Sequence, residues 1–208
     1  MKSLYQRIDE EVLLTGYNRK IYGLVELEKL SEMTGYDHES ISYDPDELLI
    51  NELKDVILEW GICTADDGLP SIVEEFYILH GVSKFEDVVK LMGVIASTGL
   101  WYCNLRDIIK ESKAIEEDLY FCREDVYDYL KRHGMTEEES KYYAEDIRKG
   151  KFCRYTDDKL KVFKAYGIPD WYVNSCKKTR YLPPRNIIYI RAIVMWRLAY
   201  YKAHKAYE

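Results

Sequence analysis

Thr136-Glu137-Glu138-Glu139-Ser140-Lys141-Tyr142-Tyr143-Ala144-Glu145-Asp146-Ile147-Arg148-Lys149-Gly150 reads as one complete helix. Thr136 and Glu139 have capping-box spacing, in which each side chain satisfies an amide the other's backbone leaves free. Tyr142, Tyr143 and Ile147 follow on the apolar side, and the stretch stops near Gly150. Downstream the plan repeats. Thr156 to Tyr166 carries Leu160 and Phe163 inside and ends at Gly167, and Pro169 fits the first turn of a helix over Asp170 to Arg180. Pro183-Pro184 then separates that helix from a last one running from Arg185 to about Ala203. Upstream, Arg123 to His133 presents Val126, Tyr129 and Leu130 before Gly134, and Asn104 is placed to cap Leu105 to Lys110. Ser83-Lys84-Phe85-Glu86 is a second capping box, opening a helix that Gly93 should end. Leu49, Leu53, Val56, Ile57 and Trp60 form a helical stripe entered through Asp44-Pro45-Asp46, with Asp44 as cap.

No hairpin turn, alternating strand pattern or fixed-period repeat interrupts this series. The expected fold is therefore all-α, with roughly nine or ten short helices joined by short loops. An acidic connector over residues 112–121 is the candidate internal boundary, dividing 1–111 from 122–208 unless the chain is one continuous domain.

The 208 residues are 47% hydrophobic and 32% charged, which excludes a disordered or low-complexity chain. Five cysteines, odd in number and far apart, fit free thiols better than disulfides or a zinc set. The most apolar stretch, Ile187 to Tyr201, is interrupted by Arg191 and Arg197 and is shorter than the ~20 residues of a membrane span, so it reads as a buried helix. Met1 to Arg7 lacks the apolar core of a signal peptide, which points to the cytoplasm and to no membrane partner.

The net charge of −7 conceals an asymmetry: −18 from Met1 to Asp146 and +11 from Ile147 to Glu208. The basic end either meets phosphates or is neutralised by the acidic part within the fold. Phosphate-binding glycine loops, dinucleotide fingerprints and metal-spaced histidine pairs are lacking, so no catalytic residue, metal ligand or cofactor is assigned. His80 and His133 precede glycines at helix ends, where they serve the last carbonyls. Asp9-Glu10-Glu11, Asp66-Asp67 and Asp157-Asp158 are runs of adjacent residues whose neighbouring carboxylates diverge by ~100° on a helix and cannot readily share an ion. The informative chemistry is cationic. Lys177, Lys178 and Arg180 lie just before a double proline and a helix start at Arg185, and Arg197 and Lys202 follow on that helix. These six residues are the candidate phosphate and nucleic-acid contacts.

Several runs resemble one known family. They are Arg148-Lys149-Gly150-Lys151, Pro169 to Lys178, Arg197 to His204, Cys122-Arg123-Glu124-Asp125-Val126 with Tyr129-Leu130 and Gly134, Thr98 to Asn104, Gly68-Leu69-Pro70, Thr34 to Asp37, and Asp44-Pro45-Asp46. Together and in order they resemble the PolC-type alpha subunit of bacterial DNA polymerase III, over the helical fingers and the last piece of palm. The resemblance implies a fold of the fingers type, in which fingers hold the incoming triphosphate and help position template while palm aspartates bind metal. It also marks departures. Arg185 keeps a cation where the family has Phe-Pro-Lys-x-His, but Ile187 stands at the histidine and bulky residues replace small ones. Ile95-Ala96-Ser97-Thr98 replaces Ser-His-Gly-Thr, and Leu13, aligned through Gly16, replaces a palm aspartate, the others falling before Met1. The expectation is a non-catalytic, stand-alone relative of the fingers, no enzyme by itself, that binds DNA, a primed template or nucleotide phosphates. The alternatives are a decoy or regulator that engages replisome proteins, and the fingers part of a split polymerase.

Overall fold

In the computed structural model, residues 24–61 and 68–204 are described. The readings placed on Asp9-Glu10-Glu11, Leu13, Gly16, Cys63 and Asp66-Asp67 lie outside them. The described residues form ten α-helices and no strand: α1 Leu24–Thr34, α2 Glu47–Trp60, α3 Leu69–Leu79, α4 Phe85–Ile95, α5 Arg106–Lys110, α6 Arg123–Arg132, α7 Glu137–Arg148, α8 Asp157–Ala165, α9 Asp170–Lys178 and α10 Arg185–His204. The all-α expectation holds. No helix among the described residues is long and apolar enough to cross a membrane.

The chain divides into two compact units. Among the described residues, the first comprises 24–61, 80–92 and 186–204, and the second 68–79 and 93–185, so the connector 112–121 lies within the second.

In the first unit, the stripe of α2 buries Leu49, Leu53, Val56 and Ile57, as its spacing requires. Phe85 is the centre of an aromatic cluster, with Tyr43 at 4.6 Å and Trp196 edge-on at 5.6 Å between ring centroids. The Trp196 indole N–H, which needs a partner once buried, donates to the Ser42 carbonyl at 3.0 Å. Helix α10 buries residues around most of its circumference, which is why its apolar run shows no clean amphipathic stripe.

In the second unit, α6 and α7 form an antiparallel pair. The Thr136 hydroxyl accepts from the Glu139 amide at 3.2 Å, and the Glu139 carboxylate accepts from the Thr136 amide at 3.0 Å, so the capping box exists as read. His133 Nδ1 lies 2.9 Å from the Tyr129 carbonyl, again as read. Tyr129 and Tyr172 stack at 3.7 Å with planes 6° apart, and Phe152 meets Phe163 edge-on at 5.1 Å.

Four local readings are corrected. Asp46, not Asp44, caps α2, accepting from the Leu49 amide at 2.9 Å, because a helix beginning at Glu47 leaves Asp44 two residues too early. Asp87, not Glu86, takes the amides of Ser83 and Lys84 at 3.0 and 3.2 Å, since the helix starts at Phe85 and the third position inside it is 87. Gly93 does not end α4, which runs on to Ile95. A Cβ at Gly93 would lie 2.5 Å from the Phe121 carbonyl oxygen, so the residue is small for packing, not for termination. Asn104 caps nothing. It is buried and holds Gly99 and Ser175 carbonyls at 2.8 and 3.2 Å, while its own oxygen accepts from the Ser175 hydroxyl at 2.6 Å.

Candidate nucleic-acid interface

The basic segment at the end of α9 is set by a buried polar network. The Tyr120 hydroxyl lies 2.8 Å from Ser175 Oγ and 2.9 Å from Thr179 Oγ1, and Asn104 joins from the loop before α5. Its members are almost wholly shielded from water, so each lost bond leaves an unpaired polar atom. Tyr120→Phe is expected to cost about 1–3 kcal/mol and to lower the melting temperature by roughly 2–12 °C, read by circular dichroism. An unchanged melt would show that the network does not brace this end of α9.

Beyond Lys178 the chain becomes an extended strap, which is why α9 stops there and not at Arg180 as the spacing suggested. Arg180 and Tyr181 amides donate to the Thr98 carbonyl at 2.8 and 3.2 Å, the Thr98 amide donates to Tyr181 at 3.0 Å, and the Leu182 amide donates to Arg148 at 3.1 Å. Two glycines let the flanking loops approach this closely. Gly99 and Gly150 have φ of +71° and +67°, and a Cβ on them would lie 2.4 Å from the Lys178 carbonyl oxygen and 2.2 Å from that of Arg180.

The six candidate cations separate into two groups. Lys178 and Arg180 are exposed and Lys177 is half-buried, and among the described residues none of the three forms an ion pair. Their polar contacts are to backbone: Lys178 Nζ donates to the Cys103 carbonyl at 2.6 Å, and Arg180 donates to the Lys177 carbonyl at 3.4 Å.

The other three are engaged within the fold. The Arg185 guanidinium binds Asp125 and Asp128 at 3.0 and 2.8 Å, and its amide donates to Glu124 at 2.6 Å. Burial works against its charge, but the carboxylates outweigh burial and hold its pKa above the ordinary value. Arg197, in the first unit, is 3% exposed and reaches His38 Nδ1 and the Tyr43 hydroxyl at 3.1 and 3.2 Å. It is a core residue and not a surface contact, because the α10 face it occupies is covered. Lys202 pairs with Glu52 at 2.9 Å, which raises its pKa. No sequence pattern joins residues 60 or 150 positions apart, so these pairings were not legible beforehand.

Glu145 limits the basic surface further. It binds Arg148 at 2.8 Å and Lys149 at 2.8 Å, and the bond to Arg148 is the main cause of a pKa lowered to about 2. A carboxylate with a depressed pKa stabilises the fold fully above its ordinary value of about 4.5, and that contribution is lost as pH falls toward 2. Glu145→Gln is expected to erase this part of the acid dependence of stability and, by releasing cations, to tighten polyanion binding about two- to threefold. Weaker binding in an anisotropy titration would contradict the assignment. A cavity of about 500 Å³ lined by Arg123, Glu124, Tyr127, Lys141, Ala144 and Glu145 lies against the same carboxylate, but its charges are balanced and it offers no net field to an anion.

Among the described residues the fold is helical, and Lys177, Lys178 and Arg180 lie on a braced segment without ion pairs. Comparison with known proteins gives the relationship. The chain is similar over 92% of its length to the DNA polymerase III PolC-type of Caldanaerobacter subterraneus subsp. tengcongensis, 29% identical over 195 residues. It matches the DNA polymerase III PolC-type of Streptococcus thermophilus at 26% over 193 residues and that of Thermotoga petrophila at 29% over 191, each over 86% of this chain. The chain spans about 13% of the length of the curated relatives it matches. No protein-family model matches it.

Proposed function

We propose that the chain is a non-catalytic, stand-alone relative of the fingers of PolC-type DNA polymerase III that binds the phosphate backbone of DNA through Lys177, Lys178 and Arg180. The observation that carries this reading is the contrast among the six cations. Three are spent on carboxylates or buried partners, and the other three form no ion pair among the described residues and lie on a segment braced by Thr98, Arg148 and the Tyr120 network. Cations held in place without counter-charges recruit phosphates with little sequence preference and strong salt dependence. Arg185, closed by Asp125 and Asp128, drops from the expected set, and with it the case for a triphosphate grip at the start of α10.

The matching segment is about 13% of the length of much longer polymerases, which is consistent with a part that binds and does not carry the whole chemistry. A labelled primed template titrated with the purified chain should show association that weakens steeply as salt rises. No association at low ionic strength would remove the proposal. Incorporation of deoxynucleotides by the chain in the presence of magnesium would overturn its non-catalytic part.

A further inference from the structure

The cationic edge carries aromatic rings as well as charge. Trp171, Asn174 and Lys178 are spaced i, i+3 and i+7 on α9 and so share one helical face. Asn174 and Lys178 on that face are exposed and Trp171 is half-buried, resting edge-on against Tyr172 at 5.4 Å. The rise of an α-helix puts Trp171 about 10 Å along the axis from Lys178. Past the helix end, Tyr181 is 39% exposed, and its backbone is pinned by Thr98 on both its amide and carbonyl sides. Its hydroxyl also lies by the Arg148 guanidinium. Along the chain, Trp171 thus precedes and Tyr181 follows Lys177, Lys178 and Arg180.

We propose that this edge binds single-stranded nucleic acid in preference to duplex, with phosphates on Lys177, Lys178 and Arg180 and unpaired bases stacked on Trp171 and Tyr181. The physical reason is access. Duplex bases already stack on one another and offer no free face, whereas a strand with splayed bases can use every ring it passes. Cations alone would not distinguish the two forms in this direction, since duplex has the higher density of phosphate. The inference rests on the phosphate-binding reading above and adds to it a substrate form.

The test titrates the full chain at low salt with three probes: a labelled dT oligonucleotide, the corresponding dA·dT duplex, and inorganic polyphosphate as a polyanion without bases. Single strand is expected to bind about tenfold more tightly than duplex. Tyr181→Ala, which removes an exposed ring and leaves the strap's backbone bonds, should weaken oligonucleotide binding about five- to tenfold and leave polyphosphate unchanged. Trp171→Phe should remove the change in intrinsic fluorescence on oligonucleotide binding, and a thermal melt of each variant checks folding. Duplex bound as tightly as single strand, or a Tyr181→Ala effect that is absent or equal for polyphosphate, overturns the stacking inference and leaves the phosphate-binding reading standing. Failure of all three probes to bind removes both.

Discussion

Lys177→Glu, Lys178→Glu and Arg180→Glu, combined in one chain, are expected to lower affinity for DNA by about a hundredfold or more at low ionic strength. Each phosphate neutralised by a cation contributes about 0.7–0.9 to the slope of log affinity against log salt. Removing three contacts should therefore flatten that slope by about 2–3, and reversing the charges adds repulsion. The variant loses the exposed bonds from Lys178 and Arg180 to backbone carbonyls but should keep its fold, checked by a thermal melt, because the three side chains form no ion pairs among the described residues and the buried Thr179 between them is untouched. Fluorescence anisotropy across a salt series measures slope and affinity together. Binding with an unchanged slope would show that the phosphates lie elsewhere. Arg185 is unsuited to this test: a glutamate there would face Glu124, Asp125 and Asp128, and loss of fold would be mistaken for loss of a contact.

Gly150→Ala is the change expected to cost most in stability, about 3 kcal/mol or more. Two effects combine. The backbone at Gly150 has φ of +67°, a region in which a side chain is strained, and the added Cβ would lie 2.2 Å from the Arg180 carbonyl oxygen and 3.0 Å from its carbon. Those atoms are backbone and cannot rotate away. They can recede only by stretching the strap that Leu182 ties to Arg148 at 3.1 Å. Gly167 supplies the control, with φ of +69° and nothing within 4 Å of its would-be Cβ. Gly167→Ala should cost about 1 kcal/mol, the strain alone. For a chain of this length the two variants should melt roughly 6–12 °C and 2–4 °C lower, respectively. Equal shifts would mean that close approach at Gly150 contributes nothing. The same variant should weaken DNA binding, because it displaces the segment that presents Arg180.

What could be read in advance followed the range of the interaction. The capping box at Thr136 and Glu139 spans three residues, so the spacing alone named both partners. Gly93 was misread because a glycine that stops a helix and a glycine that admits a neighbouring backbone are the same letter. Only the arrival of Phe121 distinguishes them. The cations show the limit most clearly. Lys178 and Arg185 are equally basic as letters, but one ends facing a backbone carbonyl and the other faces two aspartates some 60 positions away. The charge asymmetry left open whether the basic end meets phosphates or is neutralised inside the fold, and the structure shows which of its cations are engaged internally: Arg185, Arg197 and Lys202.

By itself the sequence determined that the chain is helical, where most helices begin and end, and that it resembles the PolC-type polymerases along most of its length. Helix formation and capping depend on residues three or four apart, and resemblance depends on the order of letters, so neither requires coordinates. Only the tertiary structure decided which cations remain available to a ligand. Pairing and burial are set by distances between elements remote in the chain, and a charge that has given up its hydration to an internal partner has little left to offer a phosphate.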